Sequence, residues 1–230
     1  MSSLAQVRGR VAGWRESRWL GVAELAIVVL LVVADIHRLV PFSKTPFYLA
    51  LGWVSLRLRG VGWHGVGFTV PSRWRRAVAL GAVAGIALEI LSSLGVEPAL
   101  ARLFGKTADL SDFRPLVGNA TLLVAVLAVN CLGALAEELV YRGYLTSRVA
   151  GLAGGTPGAW LASLVAVSAL FGWAHVDQGL TGQVQAAIDG LMLGLLYLSA
   201  RRNLLVPIVS HVVGNSLAFV LIYLGHYPGL

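Results

Sequence analysis

Long apolar runs recur along this chain with little between them, and they constrain the fold more than any other feature. They lie at about 20–36, 46–58, 77–96, 119–140, 158–176, 183–200 and 204–225, against the roughly 20 residues that a helix needs to cross a bilayer. In hydrocarbon every backbone N–H and C=O must find its partner within the segment, so runs of this kind form helices. The expectation is an all-α, polytopic transmembrane helix bundle of about seven spans, with six to eight as the range. Composition agrees: of 230 residues 57% are apolar and 13% charged, with a mean hydropathy of +0.77. A soluble core of this length needs far less apolar material. A single cysteine, Cys131, excludes an internal disulfide framework. With no internal repeat and no low-complexity tract, residues 1–230 read as one transmembrane helical domain.

The net charge of +7 would suit a nucleic-acid binder if the bases formed a patch, but they fall between the apolar runs. Counting alternate sides of seven spans gathers most of them on one side, among them Arg18, Arg57, Arg59, Arg73, Arg201 and Arg202. By the positive-inside rule the N-terminus is then cytosolic and the C-terminus outside. The expected partner of the basic surplus is anionic membrane lipid, with no role for nucleic acid. The first 19 residues read as an interfacial amphipathic segment anchored by Trp14 and Trp19. A cleaved signal peptide ending near Val33-Ala34 is disfavoured, because Glu24 and Asp35 interrupt its apolar run and further spans follow. The longest polar interval, 97–118, is placed to cover an external mouth.

Charged groups inside a bilayer are costly unless paired or hydrated, so each one in a span is a functional candidate. The fourth run ends in Glu137-Glu138-Leu139-Val140-Tyr141-Arg142. Glu138 and Arg142 are four apart in the favourable acid-before-base order, so they can pair on one helix face. Glu137 points about 100° away and is free to face a cavity, as a general base requires. A salt bridge at a helix end beside a solvated second acid is the plainer alternative. The fifth run ends in Phe171-Gly172-Trp173-Ala174-His175, which sets the Phe171 ring and the His175 imidazole one turn apart. In the seventh, His211 and Asn215 share a face, and interhelical hydrogen bonding would account for them as well as chemistry does. Together the three supply a carboxylate, two imidazoles and an amide, which is a hydrolytic inventory. Elsewhere Glu24, Asp35 and Glu89 are placed to pair with Arg38 or to line a cavity. Asp189 and Gln185 share a face and border the site or bond between helices, and His37, His64 and His226 lie at interfaces.

Glu-Glu-x-x-x-Arg at 137–142, Phe-x-x-x-His at 171–175 and His-x-x-x-Asn at 211–215 resemble, in identity and order, the motifs of the CPBP (CAAX protease and bacteriocin-processing, Abi-type) intramembrane proteases. The resemblance covers residues 119–220, the expected catalytic core; the first three spans match only in general character. It implies that Glu137 and His175 activate the attacking water, that His211 and Asn215 stabilise the oxyanion, and that Glu138, Arg142 and Phe171 support the site. Members of the family have also been described as metalloproteases, which would make Glu137, His175 and His211 ligands of one divalent ion such as zinc. The chain has no His-Glu-x-x-His helix, and an asparagine beside His211 suits an oxyanion donor better than a zinc ligand, so the reading preferred from sequence uses no cofactor. The implied substrate is a membrane-associated peptide or lipidated protein, either prenylated (CAAX-type) or a bacteriocin or signal peptide. Two readings of other classes stand beside it, a non-catalytic scaffold or immunity factor and a proton-coupled transporter, although the latter lacks the expected inverted repeats. Small size and the lack of organelle signals point to a prokaryotic plasma membrane. The motifs leave oligomeric state open.

One spatial problem follows from the run boundaries. They put Glu137 near the cytosolic end of the fourth span and His175 near the external end of the fifth. Either the fourth span continues toward Arg148 and leaves Glu137 in mid-membrane, or the fifth is tilted, displaced or shorter than its apolar run.

Overall fold

The computed structural model describes residues 17–41 and 44–230. The expected amphipathic segment, with Trp14, lies almost wholly outside the described residues. Among those described, every regular element is helical, as the apolar runs require. Helix α1 is Arg18–Ile36 and α2 Thr45–Leu58, followed by a single turn at Trp63–Val66. Helix α3 (Trp74–Leu91) passes through a wider π turn at Ser92–Val96 into α4 (Glu97–Phe104), and a short turn covers Ser111–Leu116. Helix α5 (Ala120–Glu137) likewise continues through a π stretch, Glu138–Leu145, into α6 (Thr146–Leu152). The remaining helices are α7 (Pro157–Trp173), α8 (Gly179–Ser199) and α9 (Leu205–Tyr223).

The count of about seven spans is not confirmed. Four helices are long and apolar enough to cross a membrane: α1, α3–α4 as one 31-residue unit, α5–α6 as one 33-residue unit, and α9. A fifth is added if α7 and α8, whose axes differ by 64°, are taken as one broken unit. Helix α2, with 14 residues, reaches only about 21 Å at 1.5 Å per residue, short of the ~30 Å hydrocarbon core. Helices α7 and α8 pack back on each other. A Cβ at Gly172 would meet Ala187, Gly190 lies against Phe171 and Ser168, and Gly194 lies against Leu164.

Small residues set the other close approach that shapes the site. On α3, Gly81 and Gly85 lie one turn apart against α9: a Cβ on Gly85 would run into the Ser210 carbonyl oxygen, and Gly214 sits over the Gly85 carbonyl. Without a hydrophobic drive between helices in lipid, such close backbone contact is what holds neighbours together. Large apolar side chains on the outer faces, such as Leu30, Val83, Val124, Leu132 and Leu161, are exposed, as a lipid-facing surface demands.

Polar connections mark the two ends of the bundle. At one end Glu24 pairs with Arg59 and Arg148, and Leu204 and Asn203 bond Gly67 and Thr69. At the other, Thr181 donates to the Lys106 carbonyl, the Asp109 N–H donates to Gln178, and the Gly118 N–H donates to Tyr223. Asp35 there pairs with Lys44, which also donates to the Ala174 carbonyl. The expected partner Arg38 is therefore not the one that Glu24 or Asp35 uses. Distance along the chain explains this for Glu24, which lies most of the length of α1 away from Arg38 and beside α2 and α6 instead.

Candidate active site

The spatial problem is resolved on both sides. Helix α5–α6 runs on to Leu152, about 22 Å beyond Glu137 and so deep in the bundle, while α7 stops at Trp173 and leaves His175 in the turn before α8. Glu137, His175, His211 and Asn215 all line one cavity of ≈ 280 Å³, together with Phe171. The three motifs are thus brought to a common space by α5, by the break between α7 and α8, and by α9.

The paired glutamates divide as the helix geometry requires. Glu138 is fully buried and accepts from Arg142 at 2.8 Å, and Arg142 also donates to the Gly190 carbonyl at 3.2 Å. The Arg142 guanidinium lies 4.7 Å from the centre of the Phe171 ring. Glu137 keeps 28% of its side chain exposed to the cavity. The π stretch that begins at Glu138 gives the helix a wider turn at this point, a distortion often found at functional positions. Thr146 donates to the Tyr141 carbonyl across it, filling one of the groups that the wider register frees.

Hydrogen bonds orient both imidazoles. His211 Nδ1–H donates to Glu138 Oε1 at 2.9 Å, which turns Nε2 toward Glu137, 3.8 Å from its Oε2. That separation is too long for a direct hydrogen bond and leaves room beside both groups for a shared water. His175 Nδ1–H donates to the Phe171 carbonyl at 2.7 Å, and a carbonyl can only accept, so Nε2 carries the free lone pair. The Phe171 ring packs against both imidazoles, with centroids 4.6 Å from His175 and 6.4 Å from His211. Glu138 therefore does more than the spacing suggested, because one carboxylate holds both Arg142 and His211.

The cavity includes residues that the motifs did not single out. Glu89, Glu97 and Asp189 line it, as does Tyr227 beyond the end of α9. Ser92 donates to both Asp189 oxygens at 2.9 and 3.1 Å and accepts from Gln185 at 3.0 Å, so Asp189 and Gln185 both border the site and bond to α3–α4. The Tyr227 phenol is pushed above its ordinary range, first by burial and then by the negative charges of Glu89 and Asp189. Leu110 and Phe113 close one side, which gives the polar interval 97–118 the covering position expected of it.

For a metal-dependent reaction the donors would be Glu137, His175 and His211. Each imidazole has its Nδ1 bonded to an oxygen, as a ligating histidine usually does. Among the described residues, however, no three His, Cys, Asp or Glu side chains come together closely enough to hold an ion. The present arrangement does not fit a three-ligand centre.

Residues 119–217 match the family model described as Type II CAAX prenyl endopeptidase Rce1-like. Over this segment the chain is similar to the CAAX proteases. The matched segment spans α5 through most of α9 and contains all three motifs, with every residue singled out from sequence for the chemistry. The family implies an intramembrane protease, in keeping with helices apolar enough to cross a membrane. Searches of curated proteins and of solved structures return no match.

Proposed function

We propose that the chain is an intramembrane endopeptidase that hydrolyses a peptide bond in a membrane-associated substrate, of the prenylated CAAX type or of the bacteriocin or signal-peptide type. The observation that carries this reading is the meeting of Glu137 from α5, His175 from the turn between α7 and α8, and His211 and Asn215 from α9 in one cavity. Glu137 takes a proton from water while the His175 Nε2 lone pair accepts and orients it, and the water oxygen bonds to the scissile carbonyl carbon. Negative charge then develops on the carbonyl oxygen. The Asn215 amide and the His211 imidazole stabilise it, with Glu138 holding His211 from behind. The C–N bond breaks as the proton held by Glu137 passes to the departing amine. Arg142 holds Glu138 in place, and Phe171 packs against both imidazoles.

The test is cleavage of a lipidated fluorogenic peptide by the purified protein in vesicles. Glu137→Gln is expected to lower kcat by on the order of a thousandfold or more with folding intact, and a zinc chelator is expected to leave the wild-type rate unchanged. A Glu137→Gln variant with wild-type turnover would refute the assignment, and chelator inhibition reversed by added zinc would replace it with the metal-dependent version.

A further inference from the structure

Helix α7 ends without a base of its own in its last turn, and the carbonyls at its end need partners from elsewhere. Three bonds come from the turn itself. The Ala174 N–H donates to the Leu170 carbonyl, the His175 N–H to that of Gly172 at 2.9 Å, and His175 Nδ1–H to that of Phe171 at 2.7 Å. A fourth comes from 130 residues away. The Lys44 ammonium, at the head of α2, donates to the Ala174 carbonyl at 3.2 Å and pairs with Asp35 near the end of α1.

The Ala174 carbonyl and the His175 N–H belong to one planar peptide unit, so bonds at its two ends fix the plane from which the His175 side chain departs. Gly172 holds it on one side and Lys44 on the other. Ala174 is buried in the same apolar cluster as Val28 and Val32 of α1 and Tyr48 of α2. A second line of contact also reaches the imidazole from α2. The Tyr48 ring stands edge-on to Tyr141 with centroids 6.1 Å apart, Tyr141 lies 4.9 Å from Phe171, and Phe171 lies 4.6 Å from His175. Asp35, Lys44 and Tyr48 all precede residue 119, where the family match begins.

We propose that Lys44, held by Asp35, is a positioning residue for the hydrolysis: it anchors the peptide unit that carries His175 and so sets where the His175 Nε2 lone pair points. The inference rests on the proteolytic reading above and extends it to residues outside the family-matched segment. A turn between two helices is a poorly constrained place for a reacting imidazole, because the helical ladder stops there. A cation suits the end of α7, since it meets a carbonyl and the negative end of the helix dipole together. Asp35 balances the ammonium and holds it at that carbonyl. Removing Lys44 takes the donor from Ala174 and loosens the turn, and a misplacement of about 1 Å at a reacting group costs on the order of a hundredfold in rate.

The experiment uses the full-length protein in vesicles and the lipidated fluorogenic peptide, and compares Lys44→Met, Lys44→Arg and Asp35→Asn with Arg148→Gln, which breaks a pair at the opposite end of the bundle. Lys44→Met is expected to lower kcat on the order of ten- to a hundredfold with KM nearly unchanged. Asp35→Asn should lower it less, and Lys44→Arg, which keeps the charge and the donors, should restore most of the rate. Arg148→Gln should keep the wild-type kcat. Hydrogen–deuterium exchange reads the anchor without turnover: amides of residues 175–179 should exchange faster in Lys44→Met and return toward the wild-type rate in Lys44→Arg, while those of α6 stay unchanged. A wild type that cleaves no peptide, with this exchange pattern present, would count against the proteolytic reading while sustaining the anchor. Wild-type kcat in Lys44→Met, a loss shared equally by Arg148→Gln, or unchanged exchange at 175–179 would overturn the proposal.

Discussion

Glu138 is fully buried and holds two partners, Arg142 and His211. Removing one member of such a pair leaves an uncompensated buried charge, which costs about 3–5 kcal/mol. Arg142→Ala is therefore expected to lower the thermal midpoint in detergent sharply. The double replacement Glu138→Leu with Arg142→Met should restore much of that stability without restoring activity, because His211 would still lose its anchor. An undiminished midpoint in Arg142→Ala would contradict the pairing. The division between Glu137 and Glu138 was legible from spacing alone, since adjacent helical residues diverge and residues four apart do not. The second bond of Glu138, to a residue 73 positions away, was not, because only the packing of α5 beside α9 brings His211 there. Glu97 escaped for a similar reason, and for Glu89 and Asp189 the spacing left lining a cavity as one of two alternatives. A lone acid in an apolar run looks the same in sequence whether it lines a cavity or bonds a neighbour, and Asp189 does both.

Helix α3 reaches α9 through glycines, and the cavity depends on how closely the two approach. Gly85→Leu would drive side-chain atoms into the Ser210 backbone, next to His211, and is expected to cost about 3 kcal/mol. Gly133→Leu on α5, where a Cβ meets nothing within 4 Å, serves as the control and should leave the unfolding midpoint nearly unchanged. Equal midpoints for the two variants would show that the close approach does not matter. Element existence was readable from the apolar runs, but boundaries were less so. The fourth run stops near residue 140 because Glu138, Tyr141 and Arg142 break its hydropathy, whereas the helix continues to Leu152 because Glu138 and Arg142 pair inside the bundle and Thr146 donates to the Tyr141 carbonyl. The π turn at Ser92–Val96 has a visible cause in Pro98, which has no N–H to offer the carbonyl four residues back, and the Glu97 N–H reaches Ser92 instead. The π stretch after Glu137 contains no proline, and nothing in its residue types announces it.

At the scale of the molecule, Arg59, Arg148, Arg201 and Arg202 gather at one end, while the turns that cap the cavity lie at the other. The positive-inside rule predicts that the arginine end faces the cytosol. In a Cys131→Ser background, Ser111→Cys is expected to react with a membrane-impermeant maleimide in intact cells, and Ser199→Cys only after permeabilisation. The opposite pattern would invert the orientation. The whole account rests on side chains from α5, the turn after α7 and α9 acting as one unit, and a double-mutant cycle on peptide cleavage tests that most directly. Glu137→Gln, His175→Ala and the combined variant are assayed on the same lipidated peptide in vesicles. Groups that share one transition state are expected to give a combined loss about equal to either single loss. Losses that multiply independently, or a single variant that keeps the wild-type rate, would contradict the shared site.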